Sequence, residues 1–217
     1  MTSLVVFDYG FGNVRSMVRA LENVAPDARV ELTRDRSAAL NADGLVVPGV
    51  GAFAACMDGL VSAGGADIIY ERVCSDRPVL GVCVGEQIMF NSGSERGIHR
   101  DGLGLFGGHV GMLSAPVVPH MGWNTVSAAS GSALFSGFES ERFYYVHSYA
   151  AHDVNESAMR EDVFSGAYEA RVTYGSYGGD TFVAAVEKGP LMATQFHPEK
   201  SGEAGAGLLR NWIRSFS

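Results

Sequence analysis

Short β-rich runs alternate with helical patterns along the first half of the chain, and this alternation constrains the fold more than any other feature. We predict strands at 4–8, 29–33, 44–47 and 79–83, and helices over 13–25, within 52–74 and from Gly85 onward. Strands that alternate with helices of this length form βαβ units, in which helices cover both faces of a parallel sheet. The sequence therefore predicts an α/β fold with a central, mostly parallel sheet.

Beyond Gly102 the chain becomes rich in glycine, and apolar residues alternate along short segments. We predict hairpin or mixed-sheet strands at 143–146, 168–173, 182–186 and 191–195. A last helix is predicted over 202–216, where four apolar residues have the spacing of a core-facing stripe: Ala206, Leu209, Ile213 and Phe216. Because no linker, repeat or change of composition divides the chain, we expect one domain spanning residues 1–217.

Charge and composition argue against several classes of protein. Sixteen Lys and Arg against 24 Asp and Glu give a net charge of −8, whereas a nucleic-acid binder needs a basic surface. The apolar stretches are too short to cross a bilayer and the first residues lack a signal-peptide pattern, so we expect a cytoplasmic protein without a membrane partner. The cysteines and histidines lack the spacing of metal ligands, and we predict no metal and no cofactor. Cys56 and Cys74 are expected to be small buried hydrophobic residues.

Cys83 follows an apolar run and has a glycine two residues away on each side, at Gly81 and Gly85. This pattern at a strand-to-helix junction is typical of a nucleophile elbow, in which a strained turn lifts the reactive side chain above the sheet. The flanking positions require glycine because a Cβ would collide with a neighbouring strand or helix. The amino end of the following helix would favour the thiolate. A buried strand cysteine beside chance glycines is the alternative.

His197 and Glu199 are two residues apart, on either side of Pro198 and just past an apolar strand. Pro198 favours an extended backbone at His197, and in such a segment side chains at i and i+2 point the same way. Glu199 can then orient one imidazole nitrogen while the other faces Cys83, which is how a thiol nucleophile obtains a general base. A surface-loop pair of His and Glu is the alternative.

A Gly-rich turn at 47–53 also lies at the carboxyl end of a predicted strand. Backbone N–H groups in such a turn can bind the negative oxygen of a tetrahedral intermediate, and the N–H of Val84, next to the nucleophile, is a second donor. A phosphate-binding turn is the competing interpretation, although neither a G-x-G-x-x-G pattern nor a P-loop lysine is present.

These three motifs, in this order, resemble those of the class I glutamine amidotransferases. Five longer stretches are similar to the glutaminase subunits of imidazole glycerol phosphate synthase: 8–13, 48–53, 119–124, 145–149 and 195–201. The resemblance implies a class I glutamine amidotransferase-like fold with an additional antiparallel strand region. It implies that glutamine is hydrolysed to glutamate and ammonia through a cysteine thioester. It also implies a partner on a separate chain, a cyclase subunit with a (β/α)₈ barrel, which uses the ammonia to make imidazole glycerol phosphate in histidine biosynthesis.

The resemblance further implies roles for individual residues. It matches Cys83, His197 and Glu199 to a catalytic triad, and Val50 and Gly51 to the oxyanion loop. The positions that hold the amino-acid end of glutamine match Gln87, His147, Ser148 and Tyr149. The positions that face the cyclase match Asn13, Trp123, Tyr144 and Lys200. On the residues alone, core aromatics are the alternative for Trp123 and Tyr144, and a helix cap is the alternative for Asn13.

One residue departs from the family pattern, and other functions stay open. At position 86 the family commonly has methionine, and we expect Glu86 to point away from Cys83. A glutaminase for another acceptor, such as the one that serves pyridoxal phosphate synthase, would share the triad but not the stretches 8–13 and 119–124. A catalytically silent binding relative and a cysteine peptidase of similar architecture are the remaining alternatives.

Overall fold

The structure of the protein is a computed structural model that describes residues 1–216, so Ser217, the last residue of the predicted domain, lies outside the described residues. The strands are β1 (Ser3–Phe7), β2 (Arg29–Thr33), β3 (Gly44–Gly49), β4 (Val79–Cys83), β5 (Phe90–Glu95), β6 (Ile98–Asp101), β7 (Phe106–Met112), β8 (His120–Thr125), β9 (Arg142–His147), β10 (Tyr149–Ala151), β11 (Arg171–Tyr177), β12 (Asp180–Lys188) and β13 (Leu191–Thr194). The α-helices are α1 (Val14–Val24), α2 (Arg36–Asn41), α3 (Phe53–Ser62), α4 (Gly65–Cys74), α5 (Val84–Gln87) and α6 (Gly202–Arg214).

A seven-stranded sheet forms the centre of the fold, in the order β11-β12-β13-β4-β3-β1-β2. The five strands from β13 to β2 are parallel, and β12 and β11 add antiparallel pairs at one edge. Every residue of β3, β4 and β13 is buried, which explains why these strands are continuous apolar runs. The predicted mostly parallel α/β sheet is confirmed.

The order of the strands decides where the site lies. Because β3, β4 and β13 are parallel neighbours, their carboxyl ends meet at one edge of the sheet. The residues that follow these three ends are the turn at 50–52, the elbow at Cys83 and the segment that leads to His197. Ligands of open α/β sheets bind at this edge.

The predicted antiparallel strands also form two smaller sheets, in which all pairs except the parallel pair of β5 and β7 are antiparallel. A four-stranded sheet has the order β10-β7-β5-β6, and β8 pairs with β9 in a two-stranded sheet in which His120 lies opposite His147. Our sequence prediction located β9, whereas it missed β5 to β8, β10 and α2. The strand predicted at 168–173 instead begins at Arg171 and continues to Tyr177.

Three helical details differ from prediction. The helix after the nucleophile, α5, is a single turn, because the chain enters β5 at Phe90. In α6 the buried face is wider than predicted and includes Leu208 and Trp212, while Ala206 is only half-buried. Cys56 is buried as expected, but Cys74 is exposed at the end of α4. Within residues 1–216, no helix combines the length and the apolar character needed to cross a bilayer.

Candidate active site

The turn at Cys83 has the strained geometry of an elbow. Cys83 has φ +58° and ψ −113°, in a region that non-glycine residues rarely adopt and that persists only where surrounding packing enforces it. A Cβ on Gly85 would lie 1.9 Å from the carbonyl oxygen of Val47, and one on Gly81 would lie 2.6 Å from that of Gly85. Both glycines are therefore required by contact between backbones, and the interpretation as chance glycines is wrong.

His197 is fixed by the turn that follows it. The backbone of His197 is extended, Pro198–Lys200 forms a 3₁₀ turn, and the Ser201 hydroxyl donates to the His197 carbonyl at 2.6 Å. This arrangement places His197 Nδ1 2.9 Å from Glu199 Oε1. Because the carboxylate oxygen can only accept, Nδ1 donates and Nε2 is left for chemistry. Both side chains are buried, so the surface-loop alternative is wrong.

Electrostatics at His197 favour the imidazolium. Burial by itself lowers the pKa of His197, but the interactions with Cys83 and with Glu199 outweigh it and raise that pKa to about 10. His197 Nε2 is buried and makes no hydrogen bond within residues 1–216. Cys83 and His197 line the same cleft, of about 590 Å³. The structure thus places Cys83 and His197 around one cavity, with Glu199 held behind His197 by the contact at Nδ1.

The same cleft collects the other residues that the sequence assigned to glutamine. Its lining includes all seven of them: Val50, Gly51, Val84, Gln87, His147, Ser148 and Tyr149. Two charged residues that our sequence prediction missed, Glu95 and Arg96, also line it. Glu95 ends β5 and Arg96 follows it in the turn to β6. The strand has no sequence signal strong enough to predict it, so nothing local pointed to them.

The turn after β3 is arranged as an oxyanion loop would be. Gly51 has φ +102°, and Val50 is half exposed at the cleft. The Cys56 thiol donates to the Val50 carbonyl at 3.4 Å, which holds that oxygen away from the cavity. No hydrogen bond within the described chain occupies the N–H of Val50 or of Gly51. Neither donor is therefore occupied by another group of the described residues, which an oxyanion role requires.

Two glutamine side chains connect the cleft wall to the sulfur. Gln87 Nε2 donates to the Tyr149 carbonyl and to Gln195 Oε1, both at 2.8 Å. Both amide hydrogens of Gln87 are thus committed, and only its Oε1 can accept from a ligand. Gln195 Nε2 in turn lies 3.8 Å from Cys83 Sγ. Our sequence prediction did not assign Gln195 a role, although it lies two residues before His197.

Glu86 is a buried carboxyl next to the nucleophile in sequence. The residue is 1% exposed, and its Oε1 has no hydrogen-bond partner. Burial raises the pKa of Glu86 well above its usual value, and Cys83 raises it further, so the two groups lie within electrostatic reach of each other. The raised pKa favours the neutral carboxyl, which does not repel a thiolate at Cys83. A glutamate at position 86, where the family commonly has methionine, is therefore compatible with a reactive cysteine.

The residues predicted to face a partner lie beside the triad. Asn13 occupies the N-cap position of α1, but its side chain makes no capping bond and its Nδ2 is 3.4 Å from Glu199 Oε1. It is therefore not only a helix cap. Trp123 is 47% exposed and meets the half-buried Tyr144 edge to face, with ring centroids 6.1 Å apart. The His197 N–H donates to the Tyr144 carbonyl at 2.9 Å, and Lys200 is exposed. Trp123 is therefore not a core aromatic.

A comparison with known families agrees with this geometry. The profile of the family described as glutamine amidotransferase class-I matches residues 5–215. The chain belongs to the class I glutamine amidotransferase family. The resemblance that the sequence motifs indicated is confirmed.

Within this family, relatives of high sequence identity share one description. The imidazole glycerol phosphate synthase subunit HisH of Bifidobacterium longum (strain NCC 2705) is 60% identical, over 98% of this chain and 99% of that protein. The protein with the same description from Mycobacterium tuberculosis (strain ATCC 25618 / H37Rv) is 55% identical over 97% of both chains.

Solved structures of more distant relatives show the fold. A structure described as a glutamine amidotransferase aligns over 97% of both chains with a TM-score of 0.71 at 16% identity. A putative GMP synthase protein from Thermoplasma acidophilum aligns over 99% of this chain and 93% of that chain, with a TM-score of 0.69 at 21% identity. The predicted class I glutamine amidotransferase fold is confirmed.

Proposed function

We propose that this chain is the glutaminase subunit of an imidazole glycerol phosphate synthase and supplies ammonia to a cyclase in histidine biosynthesis. The relatives described as HisH, at up to 60% identity over nearly the whole chain, support this function over a glutaminase for another acceptor. The observation that supports the chemistry is the elbow cysteine in one cleft with an imidazole whose Nδ1 is held 2.9 Å from a buried carboxylate. A catalytically silent relative would not need this arrangement.

The first half-reaction forms a thioester. His197 Nε2 takes the proton of the Cys83 thiol, and the sulfur attacks the side-chain amide carbon of glutamine. The carbonyl oxygen acquires negative charge facing the N–H groups of Val84 and the 50–51 turn. His197 Nε2 then gives its proton to the amide nitrogen. The carbon–nitrogen bond breaks, ammonia leaves, and a γ-glutamyl thioester remains on Cys83.

The second half-reaction releases glutamate. A water molecule attacks the thioester carbon while His197 Nε2 takes one of its protons. The carbon–sulfur bond breaks and glutamate leaves. Cys83 and His197 then have the same protons as before the first attack. Glu199 keeps the proton on Nδ1 throughout and stabilises the imidazolium that forms in each cycle.

The amino-acid end of glutamine carries two opposite charges, and the cleft offers a partner for each. The Glu95 carboxylate complements the α-ammonium, and the Arg96 guanidinium complements the α-carboxylate. Gln87 adds an accepting oxygen, and the 147–149 segment forms the adjoining wall. We expect this combination to select a free amino acid over a peptide, whose backbone lacks both charges.

We propose that the cyclase is a separate (β/α)₈-barrel chain that docks on the exposed apolar face beside the triad. This face consists of Val117, Val118, Met121 and Trp123, which are exposed apolar residues. Tyr144, Lys200 and Asn13 lie at its border with the active site. We further propose that residues 1–217 form one domain and that the reaction takes place in the cytoplasm, where its metabolites are.

A glutamate-release assay tests the proposed function. Cys83→Ala is expected to abolish glutamine hydrolysis by the complex with its cyclase, because no other group can form the thioester. Cys74→Ala, which changes the exposed cysteine at the end of α4, is the matched control and should keep full activity. Hydrolysis that survives Cys83→Ala would reject the assignment.

The same assay tests the partner. Glutamate release is measured with the chain alone, with the candidate cyclase, and with the cyclase plus its ribonucleotide ligand. We expect little turnover by the chain alone and strong stimulation in the complete mixture. Full activity without the cyclase would contradict a role as a coupled subunit.

A further inference from the structure

Two buried histidines, one in the cleft wall and one behind it, take no part in the proton transfers described above. His120 and His147 occupy opposite positions on β8 and β9, are 3% and 6% exposed, and have His120 Nδ1 2.9 Å from His147 Nε2. His147 lines the cleft, whereas His120 does not. A hydrogen bond between two imidazoles requires one to donate and the other to accept, so their protonation can be worked out from their neighbours.

Asn124 sets the donor-to-acceptor direction of the hydrogen bonds through the two rings. The backbone N–H of Thr125 donates to Asn124 Oδ1 at 2.9 Å, which identifies the amide oxygen. Asn124 Nδ2 is then the donor, and it lies 2.8 Å from the Ser176 carbonyl and 3.3 Å from His120 Nε2. Since the amide nitrogen can only donate, His120 Nε2 accepts.

The positions of the other ring hydrogens can be deduced from this acceptor. A His120 ring that accepts at Nε2 carries its hydrogen on Nδ1 and donates it to His147 Nε2. His147 must then carry its own hydrogen on Nδ1, which lies 3.1 Å from the Tyr149 carbonyl, an acceptor. Every contact is satisfied with both rings neutral and both protonated on Nδ1.

The surroundings of the two rings favour neutral imidazoles. His120 is stacked between Tyr145 and Tyr177, with ring centroids 4.7 and 4.1 Å away. Burial lowers the pKa of His120 to about 4. Burial also lowers the pKa of His147, to about 3; the Tyr149 carbonyl opposes this effect, and His120 and His197 add to it.

The last acceptor in this series of hydrogen bonds is the Tyr149 carbonyl, which also holds the cleft residue Gln87. The Tyr149 carbonyl accepts from His147 Nδ1 and from Gln87 Nε2, so both of its lone pairs are used. The other hydrogen of Gln87 goes to Gln195, whose amide reaches the Cys83 sulfur. A change of tautomer at His147 would remove one donor from this carbonyl and loosen the wall on which Gln87 is held.

We propose that His120 is a positioning residue for glutamine: its Nδ1–H fixes the tautomer of His147 and thereby the orientation of the Tyr149 carbonyl and the Gln87 amide at the cleft. The inference rests on the proposed glutaminase function for its effect on turnover. The tautomers themselves do not depend on that function.

Two substitutions of His120 separate hydrogen bonding from packing. His120→Phe keeps a ring between the two tyrosines and removes both nitrogens, whereas His120→Asn keeps an N–H donor near the Nδ1 position and loses the ring. In the complex with the cyclase, we expect His120→Phe to raise the KM for glutamine roughly tenfold with a smaller effect on kcat, the size typical of one lost buried hydrogen bond. His120→Asn should recover most of that loss. His109→Phe, at an exposed histidine of β7, is the control and should leave both constants unchanged.

The opposite order of the two variants in KM for glutamine would overturn the proposal. If His120 only fills space, His120→Asn is the more damaging variant and His120→Phe resembles the wild type. Equal and unchanged constants for both variants would overturn it as well, because no positioning effect would then exist.

Nitrogen-15 NMR of histidine-labelled free chain provides a readout that does not require activity or a folded variant. We expect His120 and His147 to give the shifts of neutral, Nδ1-protonated rings from pH 6 to 8. An Nε2-protonated or a charged ring at either position would refute the inference even if the enzyme is active. Conversely, a complex that releases no glutamate would reject the proposed function and leave the NMR result to decide the tautomers.

Discussion

Glu86→Gln is the substitution with the clearest thermodynamic consequence. The Glu86 side chain is buried, its Oε1 lacks a partner, and no lysine or arginine forms an ion pair with it within residues 1–216. Burial, and secondarily Cys83, raises its pKa well above the usual glutamate value. The folded protein therefore keeps a proton that the unfolded chain gives up once the pH exceeds the ordinary pKa of glutamate.

This difference makes the wild type lose stability as the pH rises. The unfolded state binds fewer protons than the folded state above about pH 4.3, so the free energy of unfolding falls by about 1.4 kcal/mol per pH unit until the folded-state pKa is reached. The glutamine of the variant is nearly isosteric and has no proton to lose. We therefore expect the stability of the variant relative to the wild type to rise with pH above about pH 4.3, by about 1.4 kcal/mol per pH unit for as long as Glu86 stays protonated in the folded state.

Urea unfolding at a series of pH values between 5.0 and 7.0 measures this difference directly. Other titrating groups affect both proteins equally, so only the difference between the two free energies is interpreted. Glu203→Gln is the matched control, because the Glu203 side chain is 93% exposed and should give no pH-dependent difference. A constant difference between Glu86→Gln and the wild type across this range would refute the reasoning, since it would mean that Glu86 titrates normally in the folded state.

Two further predictions concern the elbow and the triad. Gly85→Ala should destabilise the fold by about 3 kcal/mol or more, because its Cβ would meet a backbone oxygen at 1.9 Å. Gly111→Ala, whose Cβ would meet nothing closer than 3.9 Å, is the control in thermal unfolding, and equal loss in both variants would contradict the elbow contact. Glu199→Gln should lower kcat for glutamine roughly 100-fold or more, because His197 loses the carboxylate that fixes its tautomer and stabilises its charge. Turnover within a few fold of the wild type would show that Glu199 is dispensable.

Local features of the site were predictable because they depend on near neighbours in the chain. The strand Val79–Cys83 was predicted with its observed bounds, since an apolar run that ends at a cysteine between two glycines is a complete local signal. The contact of Glu199 with His197 was predictable for the same reason, because Pro198 restricts the backbone between them. The family resemblance located most of the remaining lining of the cleft from motifs of a few residues each.

Other elements of the site gave no such signal. Glu95 and Arg96 lie at and just after the end of a strand that alternates too weakly to be predicted. The length of α5 depends on where β5 joins its neighbour β7. Nothing local distinguishes Gln195, with its contacts to Gln87 and Cys83, from any other buried glutamine. Glutamate usually prefers solvent, so the sequence gave no reason to predict that Glu86 is buried.

The sequence by itself determined the α/β class, the family and the three residues that we propose as the triad, because each depends on motifs of a few residues at short and fixed spacings. Only the tertiary structure decided that β4 and β13 are parallel neighbours, which unites Cys83 with a histidine more than a hundred residues further along the chain. It alone decided the protonation of His120 and His147, because a tautomer depends on what each ring nitrogen faces. Those partners come from strands and loops that only the folding of the whole chain brings together.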